Sequence, residues 1–248
     1  MISVKNIYKS FGERTVLRNV SVDFHVGENN LVIGLSGSGK TVLMKCLVGL
    51  LKPEQGEILF SNRDLVSMKR REQTAIRQDI GMVFQGGALF DSLTVEENVI
   101  FPLDMYTDQT LEEKIARANF CLHRVNLENA NKLYPSELSG GMKKRVAIAR
   151  AIANNPKYLF CDEPNSGLDP RTATVIDELI SEITKEYNMT TIINTHDINS
   201  VLQIGDHVAF IHQGNLWWQG NKQTICESKN TELIEFLSAS ELTRRLIN

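Results

Sequence analysis

Eight residues, Gly34-Leu35-Ser36-Gly37-Ser38-Gly39-Lys40-Thr41, match the pattern G-x-x-x-x-G-K-[ST]. The chemistry this arrangement supports is phosphate binding. Its glycines let the main chain curl so that successive N–H groups point inward, and a helix starting at its end adds positive potential. Lys40 would neutralise β- and γ-phosphate charge, and the Thr41 hydroxyl would ligate Mg²⁺. A flexible glycine turn ahead of a helix is the plain alternative. Context argues against it, because an apolar stretch over 30–35 leads into the loop and a helical pattern follows it.

Two adjacent carboxylates, Asp162 and Glu163, follow the strand-like run 158–161. At the end of a buried strand such a pair is costly unless a metal or a reacting water compensates it. Strand alternation would send the two apart, Asp162 toward Mg²⁺ and Glu163 toward the water that attacks the γ-phosphate. A solvated strand end is the alternative. Gln85 after 80–84 and His196 after 190–195 reach the same kind of strand terminus, where parallel sheets bind ligands. His196 could donate a hydrogen bond to a γ-phosphate oxygen, and Gln85 could touch Mg²⁺ and position water. Either could equally be an ordinary loop residue. A second anion site is offered by Ser139, Gly140 and Gly141, which stand at the start of a helix, although an ordinary capped helix would look the same.

Several elements must position these groups. Apolar stretches over 20–26 and 30–35 flank a Gly27-Glu28 turn, and residues 43, 44, 47 and 50 recur at helical spacing before Gly49, Pro53 and Gly56. Thr94 reads as an N-cap, a polar helix is expected over 111–124, and another helix over 173–187. The runs 158–161 and 190–194 read as buried parallel strands, and 208–212 with 216–218 as a hairpin around Gly214. One or two short helices are expected from Lys222 onward. No repeat or low-complexity linker interrupts the pattern.

Composition narrows the function classes. The chain has 248 residues and a formal net charge of −3, so a nucleic-acid partner is not expected, and Lys69-Arg70-Arg71 reads as a solvated face. Cys46, Cys121, Cys161 and Cys226 form no CxxC pair and read as reduced thiols of a reducing compartment. No apolar run reaches the roughly 18 to 20 residues that span a bilayer, and residues 1–6 lack a secretory signal pattern. The expectation is a soluble, cytoplasmic protein.

In this order the motifs resemble the nucleotide-binding subunits of ABC transporters, from Phe11 to about Gly220. The most specific element is Leu138-Ser139-Gly140-Gly141-Met142 with the segment 143–151, similar to the family signature and its helix. The resemblance implies an α/β P-loop NTPase fold, with a RecA-like parallel sheet, an antiparallel β subdomain and an inserted helical subdomain. On that basis residues 1–248 form a single nucleotide-binding domain. Its core would take 1–85 and 157–220, its helical subdomain 86–156, and its helical tail 221–248. The resemblance further implies a head-to-tail dimer, in which the signature of one copy closes over ATP held by the phosphate loop of the other. Phe11 matches the aromatic that stacks on adenine, Gln85 the Q-loop, Asp162 the Mg²⁺-associated aspartate and Glu163 the general base. The segment 166–169, with Asp169, looks like the D-loop, and His196 like the switch histidine. Val42 and Asn165 depart from commoner residues, Val42 putting an α-phosphate contact in doubt.

A narrower likeness joins the segments 84–99, around Gly87-Ala88-Leu89-Phe90, and 101–103, with Tyr134-Pro135-Ser136-Glu137, to ATPases of the Mla phospholipid-transport system and its MCE-associated relatives. It implies a lipid substrate handled by other subunits: an integral membrane permease and an MCE-type lipid-binding protein, with the chain peripheral on the inner face of the cell membrane. Gly87 to Phe90 could instead be a buried anchor for any substrate class. Rival readings are an importer or exporter ATPase for amino acids, metals or drugs, a soluble cassette of DNA repair or translation, and a regulatory cassette on an envelope enzyme.

Overall fold

A computed structural model describes residues 1–238. In chain order the elements are β1 (Ile2–Phe11), β2 (Arg14–Phe24), β3 (Asn29–Ile33), α1 (Lys40–Leu47), β4 (Gln55–Phe60), β5 (Arg63–Asp64) and α2 (Arg70–Gln78). There follow β6 (Ile80–Val83), α3 (Val95–Tyr106), α4 (Leu111–Arg124), α5 (Gly140–Ile152), β7 (Tyr158–Asp162) and α6 (Pro170–Glu186). The chain continues through β8 (Thr190–Thr195), α7 (Ile198–Ile204), β9 (His207–His212), β10 (Asn215–Gly220) and α8 (Thr231–Ser238). No helix among the described residues is long and apolar enough to cross a membrane. The tail expected from Lys222 holds a 3-10 turn at Ile225–Glu227 and α8, and its last ten residues, 239–248, lie outside the described residues.

Two compact units divide the chain. The first takes Met1–Arg77 and, among the described residues, 190–238. Its antiparallel sheet has the order β2-β1-β4-β5. The sequence reading missed β1 and the first half of β2, and bulges explain why. Asn6 and Asn19 take φ of 52° and 55°, and the β1–β2 register shifts between Val4 and Ile7 and again between Ile7 and Lys9. Each extra residue flips the inward face, so Ile2 and Val4 are followed inside by Ile7, and Leu17 by Val20. The period-2 pattern is therefore broken within one strand.

In the same unit β3 lies between β8 and β9, parallel to both, and β10 pairs antiparallel with β9. Every residue of β3 and β8 is buried, as expected of strands covered on two faces. Two asparagines fasten the base of β3. Asn30 Nδ2 donates to the carbonyls of His25, Glu28 and Thr191, and its Oδ1 accepts from His25 N at 2.7 Å. Asn29 donates to the Asp206 carboxylate from its main-chain N at 3.0 Å and from Nδ2 at 3.1 Å.

The second unit, Gln78–Met189, pairs β6 and β7 in parallel and packs α3, α4 and α5 on one another. Gly81 on β6 is required by that packing: a Cβ there would stand 2.3 Å from the carbonyl oxygen of Ala151 near the end of α5. Thr94 is the N-cap of α3, as the sequence predicts, and shares a reciprocal capping box with Glu97. Thr110 and Glu113 repeat the arrangement at α4. The helix expected over 173–187 starts earlier, at Pro170, because Asp169 caps it from outside.

Candidate functional site

The first unit sets the glycine-rich loop 34–39 between β3 and α1. Gly34 has φ 147°, and a Cβ on it would stand 2.2 Å from the carbonyl oxygen of Ile211 on β9. Only glycine fits a loop so close to a neighbouring strand. Gly37 and Gly39 also take positive φ, and Gly39 is the N-cap of α1 with no side chain to satisfy the helix N–H groups. Those groups remain suited to an anion. Ser38 Oγ is buried with no protein hydrogen-bond partner, a further polar atom that a bound oxyanion could satisfy. Lys40 is 6% exposed, and its ammonium donates to the carbonyls of Gly34 at 2.7 Å and Leu35 at 3.1 Å. Leu35, Ser36, Gly37 and Thr41 are exposed.

His196 belongs beside this loop. The β3–β8 register pairs Ile33 with Thr195, so Gly34 and His196 are the first residues beyond paired positions at the same carboxyl edge. His196 is exposed and precedes Asp197, the N-cap of α7. Phe11, at the end of β1, is 49% exposed, with the Lys9 ammonium 5.3 Å from its ring centroid.

The second unit builds another strand edge. Val83 pairs with Cys161, which puts Gln85 and Glu163 each two residues beyond a paired position. Asp162 ends β7, whereas Glu163 lies past it with φ 49°. Strand alternation was expected to send the two carboxylates apart, but Glu163 leaves strand geometry, so the pleat alone does not set its direction. Gln85 Nε2 donates to Ser166 Oγ at 3.4 Å. Asn165 is buried, and its amide donates to the Asp177 carboxylate at 3.2 Å.

In the same unit Ser139 caps α5, its Oγ accepting from Met142 N at 3.2 Å. Gly140 and Gly141 follow, and a Cβ on Gly141 would stand 2.8 Å from Thr172 Cγ2, so the start of α6 approaches the signature closely. Asp169 caps α6 through bonds of 3.1 Å from both Arg171 N and Thr172 N. The Thr172 hydroxyl, with help from these N–H groups, holds the Asp169 carboxyl below its usual range.

The chain matches the ABC transporter family over residues 17–166. It is 38% identical to the intermembrane phospholipid transport system ATP-binding protein MlaF of Haemophilus influenzae, over 96% of this chain and 90% of that protein. The chain belongs to the ABC transporter family. It is also 41% identical to the methionine import ATP-binding protein MetN of Geobacillus kaustophilus, over 89% of this chain and 65% of that protein. Its fold matches the dimeric structure of a bacterial ABC transporter cassette with a TM-score of 0.82 and 36% identity, over 90% of this chain and 99% of that one. The chain is thus an ABC ATPase with the P-loop NTPase fold.

Two cations of this ABC ATPase escaped the sequence reading. Lys144 and Arg150 lie on α5, 5% and 8% exposed. Lys144 donates to the carbonyls of Gln85 and Glu163. Burial lowers its pKa, with Cys161 and Glu163 opposing that shift. Arg150 donates to the carbonyls of Gly87 and Ala88. Within the signature helix both look like ordinary surface positions, and their acceptors are main-chain atoms, which leave no mark in sequence.

Proposed function

We propose that this ABC ATPase energises phospholipid transport by a separate integral membrane permease. The observation that carries the permease reading is an apolar cavity of about 430 Å³ in the second unit, formed by the chain just beyond Gln85. Phe84, Ala88, Phe90, Phe101, Met105 and Tyr106 line it, and the Phe90 and Phe101 ring centroids lie 4.6 Å apart with their planes inclined by 49°. A cavity of this size and polarity suits an apolar protein segment or ligand. Gln85 joins it to the chemistry, so a partner seated there would bear on the hydrolytic residues. The lipid class rests on the Gly87 to Phe90 segment, of which Ala88 and Phe90 line the cavity, and on the likeness to MlaF. An MCE-type lipid-binding protein would complete the assembly, which would hold the ATPase at the inner face of the membrane.

In this reading Phe11 stacks on adenine, and the phosphate loop Gly34, Leu35, Ser36, Gly37, Ser38, Gly39, Lys40 and Thr41 holds the phosphates. Thr41, Gln85 and Asp162 would hold Mg²⁺, which would supply charge to offset that of the phosphates. Glu163 removes a proton from the attacking water, and His196 donates to the γ-phosphate. Ser139, Gly140, Gly141 and Asp169 serve the nucleotide of a second copy, in keeping with the dimeric cassette that the fold matches. Two experiments test the proposal. Glu163→Gln should bind ATP, lose turnover and persist as a dimer, and normal hydrolysis would overturn its role. Reconstituted with its permease in proteoliposomes, the ATPase should move a fluorescent phospholipid on ATP addition. Uptake of methionine without lipid movement would favour the amino-acid reading that the MetN likeness raises.

A further inference from the structure

The side chain of Lys144 is buried in the second unit, and among the described residues no carboxylate is one of its hydrogen-bond acceptors. It donates to the main-chain carbonyls of Gln85 and, at 3.4 Å, of Glu163. Burying a cation is unfavourable unless its donors are used, and these two acceptors belong to the segments that leave β6 and β7. The Glu163 carbonyl receives a second donor, Ser166 N at 3.2 Å. Glu163 also has φ 49°, a region that a residue with a Cβ occupies only when its surroundings hold it there. Two donors on one carbonyl hold the peptide plane that follows the Glu163 Cα, and so restrain the backbone from which its side chain leaves.

We propose that Lys144 is a positioning residue for hydrolysis, fastening the main chain of Gln85 and of Glu163 to the helix that begins at Ser139. The proposal rests on the reading of Glu163 as general base. Lys144 itself touches neither water nor nucleotide in this scheme. It ties the signature helix to both residues that flank the reacting water, so a displacement of α5 reaches them together.

The test compares Lys144→Met, which keeps the stem and removes the donors, with Lys144→Arg, which keeps charge and several donors. ATPase kinetics, binding of a fluorescent ATP analogue and thermal unfolding are measured on the full chain. Lys144→Met should lower kcat at least tenfold while KM and analogue affinity stay within threefold, and Lys144→Arg should return kcat to within threefold of the parent. A Lys144→Met protein with kcat within twofold of the parent overturns the proposal. So does a loss in which kcat and Tm fall and KM rises together in both variants, because that is the mark of a purely structural lysine. If Lys144→Met does not fold, Lys144→Gln is read by the same criteria. Glu163→Gln is assayed alongside. Turnover retained there defeats the general-base reading, whereas turnover lost there and kept in Lys144→Met defeats only the role of Lys144.

Discussion

Arg150 Nη1 donates to the carbonyl of Ala88 at 2.7 Å, and its Nη2 reaches the neighbouring carbonyl of Gly87 at the same distance. Ala88 stands in the left-handed region with φ 45°, and Ala88 and Arg150 both line the apolar cavity. The loop after Gln85 is therefore shaped by a buried guanidinium on the signature helix. Arg150→Met removes both donors and leaves two carbonyls short of partners. It should lower the free energy of unfolding by about 2–4 kcal/mol in chemical denaturation, and a change below about 0.5 kcal/mol would refute the clamp.

Asn98 closes the other end of that loop. It is fully buried, accepts from Phe90 N at 2.8 Å and donates to the carbonyls of Phe90, Leu93 and Thr94. Asn98→Ala should cost about 2–4 kcal/mol. Thr94→Ala, which removes only the N-cap of α3, should cost about 1 kcal/mol. Denaturant titration of the two variants side by side gives the comparison, and the reverse ranking would contradict this account.

Gly34→Ala places a Cβ against the Ile211 carbonyl and strains a backbone at φ 147°. Because the obstacle is main chain, relief requires β9 or the phosphate loop to shift. The expected outcome is a loss of about 2–4 kcal/mol in stability together with loss of ATP binding. Isothermal titration with ATP checks the second part, and unchanged affinity would show that the loop tolerates the shift.

Lys40→Ala removes the ammonium that bridges the Gly34 and Leu35 carbonyls. A charged hydrogen bond is worth about 1.5–3 kcal/mol, so ATP affinity should fall at least about tenfold. Turnover should vanish. Retained ATPase activity would defeat the assignment of the phosphate loop.

His207 predicts an acid-side loss of stability. Burial pushes its pKa below the ordinary 6.5, and the charge of neighbouring His25 pushes the same way, against Glu28 and Asp23. The two rings meet edge to face at 5.0 Å, and His207 Nδ1 is buried without a hydrogen-bond partner. Below 6.5 the unfolded chain binds this proton more readily than the fold does, so the contribution present above that pH is lost as pH falls through the lowered value. Urea midpoints measured from pH 7.5 to 5 should decline less steeply for His207→Gln than for the parent. Parallel profiles would rule the residue out.

Local chemistry was legible in the sequence. The strand, loop and helix around Gly34 to Thr41, the Thr94 cap, the helix over 111–124 and the hairpin around Gly214 each depend on residues within one window, and each stands where that window put it. Where a bulge resets the pleat, as at Asn6 and Asn19, the same window misleads, and β1 went unseen. Tertiary structure alone decided the rest. Pairing of Ile33 with Thr195 sets His196 at the edge from which Gly34 departs. Pairing of Val83 with Cys161 does the same for Gln85 and Glu163. Parallel strands meet only through long crossovers, so their register is set by the packing between them and not by any adjacent residue. Lys144 illustrates the limit further, since its acceptors are carbonyl oxygens that every residue carries, and only the folded chain selects which two lie within reach.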